Sequence, residues 1–72
     1  MNISDILVVE DEPKIAQLLV DYLQRDGFTV SVLSEGTNAV EIIKKRAPGF
    51  VILDLMLPGK DGLTICREVR QF

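Results

Sequence analysis

Apolar positions along the chain fall into two kinds of run. "ILVV" at residues 6–9 and "FVIL" at residues 50–53 are unbroken and rich in β-branched or aromatic side chains, the pattern of short strands covered on both faces, as in parallel sheets. "TVSVL" at residues 29–33 alternates instead, which predicts a strand less buried than the first. Between these runs the period turns helical. Ile15, Leu18, Leu19, Tyr22 and Leu23 recur at helical spacing after Pro13, which suits a first helical position, and Gly27 supplies the stop. Val40, Ile43 and Ala47, with Ile42 beside them, predict a second amphipathic helix ending before Pro48 and Gly49. After the turn-forming "PGKDG", Leu63, Ile65, Cys66, Val69 and Phe72 outline a third. The order is βαβαβα, which implies an α/β fold with parallel strands joined by right-handed crossovers.

Length sets a tight limit on this architecture. Seventy-two residues allow one domain, spanning 1–72, and a core of that size rarely supplies more than ~3–5 kcal/mol. A hydrophobic content of 47% with only three prolines describes a folding chain rather than a disordered one. The net charge of −3, with no basic block, argues against a nucleic-acid surface in these residues. Lys44, Lys45 and Arg46 read as the cationic last turn of a helix. No apolar stretch approaches the ~20 residues that span a bilayer, and no signal-peptide pattern opens the chain, so a cytoplasmic protein is expected. One cysteine and no histidine exclude an internal disulfide, Cys/His zinc sites and His-based triads. Cys66 reads as a small buried apolar side chain.

Charge placement is more informative than charge total. Glu10, Asp11 and Glu12 follow the first strand directly, and Asp54 ends the third. In open parallel sheets ligands gather beyond the carboxyl ends of the strands, so these acids meet if the two strands are neighbours. Two carboxylates ~4 Å apart repel by roughly 4 kcal/mol at an effective dielectric of ~20, unless a cation or protons intervene. Hard oxygen donors of this kind suit Mg²⁺, and a carboxylate beside that ion can act as nucleophile in phosphoryl transfer, with Asp54 the best placed. A plainer account of "EDEP" is helix capping, since acids near a helix N-terminus are favoured by its dipole; taken alone it is the commoner case. Lys60, Asp61 and Glu12 read as solvent-facing.

"ILVVEDEP" followed by "VILDLMLPGKDGL" from position 51 resembles the receiver domain of two-component response regulators of the OmpR/PhoB type, over the whole chain. The resemblance implies a partial flavodoxin-like fold with three parallel strands in order 2-1-3. It implies that Asp54 accepts a phosphoryl group from a sensor histidine kinase, and that Mg²⁺ is ligated directly by Asp11 and Asp54, with Glu10 acting largely through water and the backbone carbonyl of Met56 completing the protein's share. It also implies a signalling domain rather than a conventional enzyme, although such receivers promote their own aspartyl phosphorylation and dephosphorylation. The family's sheet has five strands in order 2-1-3-4-5, and its Ser or Thr after strand four and Lys of strand five have no counterpart in these residues. Nor does the DNA-binding domain that usually follows. An incomplete receiver is therefore expected, impaired in switching, with strand three at a free edge that favours self-association. A self-associating fragment without phosphoryl chemistry is the alternative. An aspartate-nucleophile phosphohydrolase is weaker, since "DLMLPG" lacks a second acid two residues on, and a nucleotide site is weaker still without a glycine-rich turn after the first strand.

Overall fold

The computed structural model describes residues 2–54 and 59–70. Six elements alternate along it: β1 (Asn2–Val9), α1 (Pro13–Arg25), β2 (Thr29–Leu33), α2 (Ala39–Arg46), β3 (Pro48–Leu53) and α3 (Gly62–Val69). The strands are all parallel and ordered β2-β1-β3. β1 is central, and its unbroken apolar run is buried throughout, from Ile6 to Val9. That is what a strand flanked on both edges and covered on both faces requires.

Strand alternation divides this run between two layers. Leu7 and Val9 join Ala39 and Ile43 of α2 and Ile65 of α3 in the main core, with Leu33, Val40, Ile42, Leu53 and Val69 packed around them. Ile6 and Val8 point the other way, the side taken by α1. The face of α1 turned toward the sheet is centred on buried Ala16, with Leu19, Val20 and Leu23 partly buried, whereas Ile15, Leu18 and Tyr22 are exposed. The periodicity therefore marks the helix correctly, but the apolar stripe is wider than the buried one. Its buried centre is the small residue that lets the helix approach the strands.

Three boundaries depart from the sequence reading. β1 begins at Asn2 and β3 at Pro48, because pairing to a neighbouring strand extends an element beyond its apolar run; the register shifts between Asn2 and Ile6, where the two strands come together. Ala47 does not extend the buried face of α2. It caps that helix in the left-handed region at φ 46°, its amide donating to the Ile43 carbonyl at 2.8 Å, the usual way of turning the chain out of a helix. Cys66 is exposed rather than buried, on the rim of a shallow apolar groove between β3 and α3 that also includes Val51, Leu53, Ile65 and Val69. Phe72 lies outside the described residues.

The strand ends opposite the carboxyl tips are fastened by charge. Asp5, only 9% exposed, receives the Arg46 guanidinium at 3.4 Å on both carboxylate oxygens, while the same guanidinium donates to Ser31 Oγ at 2.7 Å. Arg46 thus ties the last turn of α2 to β1 and β2, beyond the helix-dipole role its position suggests.

Candidate functional site

The site begins with backbone register. Val9 is level with Leu33 on one side and Leu53 on the other, so all three strands end in one line. The pairing continues one residue further, with the Glu10 amide donating to the Leu33 carbonyl at 2.9 Å and the Asp54 amide to the Val9 carbonyl at 3.0 Å. Glu10 and Asp54 therefore leave the sheet side by side.

Local structure then sorts the acids after β1. Glu12 is the N-cap of α1, in extended backbone, and its carboxylate accepts from the Lys14 amide at 3.3 Å. The capping account of "EDEP" is thus met by Glu12 alone. Glu10 turns back to accept from the Glu12 amide at 3.2 Å, and Asp11, exposed, completes a cluster. One carboxylate oxygen each from Glu10, Asp11 and Asp54 lie within 4.8 Å of one another. Carboxylate oxygens are the hard donors that Mg²⁺ prefers, and these three side chains could together supply part of its shell.

The electrostatics carry the mark of that crowding. The Glu12 backbone amide draws the Glu10 pKa down. Desolvation, the negative charge of Asp54, and hydrogen bonds shared with Asp11 and Asp54 together outweigh it, and the Glu10 carboxyl is raised above its ordinary value. The direction of the shift reflects the cost of gathering negative charge at this rim, a cost that a divalent cation would offset.

Other positions singled out in the sequence have different roles. Met56 lies outside the described residues. Asp61 is exposed but is the N-cap of α3, accepting from the Thr64 amide at 2.9 Å; that amide first, then the Thr64 side chain and the Arg67 charge, hold its pKa below the usual carboxylate range. Lys60 is not a plain solvated charge. Its ammonium sits 2.7 Å from Glu68 Oε2, a pairing across a loop and a helical turn that no sequence period announces.

A family profile described as the response regulator receiver domain matches residues 6–72. The chain belongs to that family. It is 48% identical over 71 residues to the transcriptional regulatory protein BaeR of Escherichia coli O6:H1, covering 99% of this chain and 30% of BaeR. Among solved structures, the BeF3-activated N-terminal receiver domain of Klebsiella pneumoniae RstA matches with a TM-score of 0.87 at 43% identity, over 93% of this chain and 57% of that one. The response regulator TrrA of Thermotoga maritima, in complex with Mg²⁺ and BeF, matches at 0.86 and 37% identity, over 93% and 58%. The chain thus spans less than a third of BaeR and somewhat more than half of these receivers. Its βαβαβα order, parallel sheet and 2-1-3 strand sequence are those of the receiver fold.

Proposed function

We propose that this receiver accepts a phosphoryl group on Asp54 from the phosphohistidine of a sensor histidine kinase, in a cytoplasmic two-component system. The observation that carries the reading is the convergence of Glu10, Asp11 and Asp54 at the carboxyl rim of the sheet. An Asp54 carboxylate oxygen attacks phosphorus, the P–O bond forming as the P–N bond to the imidazole breaks, and the leaving imidazole takes up a proton.

Glu10, Asp11 and Asp54 are the side chains that would hold Mg²⁺, with the Met56 carbonyl as the further ligand the family pattern implies. When bound, the ion supplies positive charge against the oxygens of the transferred group. The protein's own contribution is position. The Asp54 amide, fixed on Val9, sets where its carboxylate stands, and Glu12, by capping α1, leaves Glu10 and Asp11 available to the rim. The TrrA complex with Mg²⁺ and BeF supports the same chemistry by analogy.

The test is incubation with Mg²⁺ and acetyl phosphate followed by intact-mass measurement. A phosphate increment on the wild-type chain that disappears in Asp54→Asn is expected; an increment that persists in Asp54→Asn removes Asp54 as acceptor.

A second reading, self-association through β3, is favoured by one observation. Phe50, Val51 and Ile52 on this outer strand are exposed, at 60%, 36% and 37%, and an outer strand offers backbone groups to a mate. A concentration-dependent mass in sedimentation, lost on Val51→Lys, is the expected result.

A further inference from the structure

Lys60 stands six positions after Asp54 and meets the rest of the fold at two points. Its backbone carbonyl lies against Gly36, in the connection between β2 and α2. A Cβ on Gly36 would overlap the Lys60 carbonyl oxygen and approach the carbonyl carbon to 2.8 Å and Ile65 Cδ1 to 2.9 Å. Only a residue without a side chain permits that approach. The Lys60 ammonium, in turn, lies 3.2 and 2.7 Å from the two carboxylate oxygens of Glu68 on α3.

Neighbouring contacts reinforce both points. Gly59 is in the left-handed region at φ 81°, and a Cβ there would strike the Thr37 side chain. The Gly36 carbonyl accepts from the Ala39 amide at 3.2 Å, which anchors the glycine to the start of α2. Asp61, next to Lys60, caps α3. At the other end, Asp54 is fixed to β1 through Val9. Both ends of the connection from Asp54 to α3 are therefore held, one by the sheet and one by Gly36, Thr37 and Glu68.

We propose that Lys60 is a positioning residue for the chemistry at Asp54, held by Gly36 behind its carbonyl and by Glu68 at its ammonium. Its ammonium is engaged by Glu68, so its part is to hold its end of the connection and not to lend charge to the acidic rim. Small misplacements of a reacting group lower rates well beyond their effect on stability, so the brace is to be sought in kinetics rather than in melting. The inference rests on Asp54 as the phosphoryl acceptor.

The experiment follows phosphate incorporation from acetyl phosphate by mass, well below the melting temperature. It also follows the Mg²⁺ concentration giving half of the metal-induced rise in Tm. Lys60→Gln and Glu68→Gln should each slow incorporation roughly two- to fivefold, the kinetic equivalent of a half-exposed ion pair. The exchanged pair, Lys60→Glu with Glu68→Lys, should recover most of the loss. Gly36→Ala should slow it further and raise the half-saturating Mg²⁺, whereas Gly27→Ala, strained at φ 93° but with open space around it, should lower Tm without either change. If Gly36→Ala does not fold, the half-exposed charge variants decide. Wild-type rates in both single variants, or an exchanged pair no faster than either, would overturn the brace while leaving Asp54 as acceptor. A wild-type chain that takes up no phosphate removes the acceptor and the brace together.

Discussion

The Asp54 amide is bound to the Val9 carbonyl at 3.0 Å, one residue before Glu10, so the acids of two separate segments share one rim because the strands beneath them are hydrogen-bonded neighbours. Mg²⁺ should therefore stabilise the fold. At ten times its dissociation constant a ligand selective for the native state adds about 1.4 kcal/mol, or roughly 5–10 °C in Tm for a domain of this size. Asp11→Asn removes one of the crowded charges and should raise the metal-free Tm by ~2–5 °C while weakening the Mg²⁺ response. Differential scanning fluorimetry with and without Mg²⁺ reads both, and a Tm indifferent to the ion would mean that the cluster does not bind it.

A pH dependence follows from Asp61. Its folded pKa is depressed below the ordinary 3.8, first by the Thr64 amide, so the folded state binds fewer protons than the unfolded. The stabilisation it gives is complete above about the ordinary value and is lost as pH falls through the depressed one. Asp61→Asn keeps a capping oxygen but does not titrate. Wild type should melt above Asp61→Asn at neutral pH, the two curves converging as the solution is taken below the ordinary aspartate value; parallel curves across that range would contradict the cap's charge.

The alternation of strands and helices and the burial of β1 were legible because each follows from a local pattern, unbroken β-branched runs or helical spacing. The convergence of Glu10, Asp11 and Asp54 needed in addition that β1 and β3 be neighbours, which the family resemblance alone implied and the sheet order bears out. What escaped the sequence depended on which residues meet across the fold. Ile15, Leu18 and Tyr22 have the right period but turn outward, since the approach of α1 is set by Ala16. Cys66 is apolar and well spaced but lies on the rim of a groove. The roles of Gly36 and Lys60 come from a contact between two loops, and neither loop contains a period that could reveal it. The nearest signal was the glycine itself, in a turn where no positive φ requires one.

Arg46 offers a stability test far from the acidic rim. Its guanidinium is 43% exposed and the Asp5 side chain 12%, so removing the cation leaves a mostly buried carboxylate without its ion pair. Arg46→Met keeps the aliphatic stem and should cost about 1–2 kcal/mol, less than a fully buried pair because the guanidinium is solvated. Asp5→Asn should cost less than that. Urea denaturation of the two single variants and the double gives the coupling directly; additive costs would show that the contact contributes nothing.

Ile65 is fully buried and touches both the main core and the Gly36 turn. Ile65→Ala should cost about 2–5 kcal/mol, comparable with the ~3–5 kcal/mol that a core of this size supplies, and the variant should be largely unfolded at 25 °C. Ile65→Val, costing about 0.5–1.5 kcal/mol, should remain folded, and it removes the Cδ1 atom that would stand 2.9 Å from a Cβ on residue 36. In that background Gly36→Ala should be less harmful than in wild type, but not harmless, because the Lys60 carbonyl still occupies the space a methyl group would need. Thermal melts of Ile65→Val, Gly36→Ala and the double variant measure this coupling. Strict additivity would mean that the two side chains do not compete for the same space, and full rescue would mean that the carbonyl moves aside at no cost.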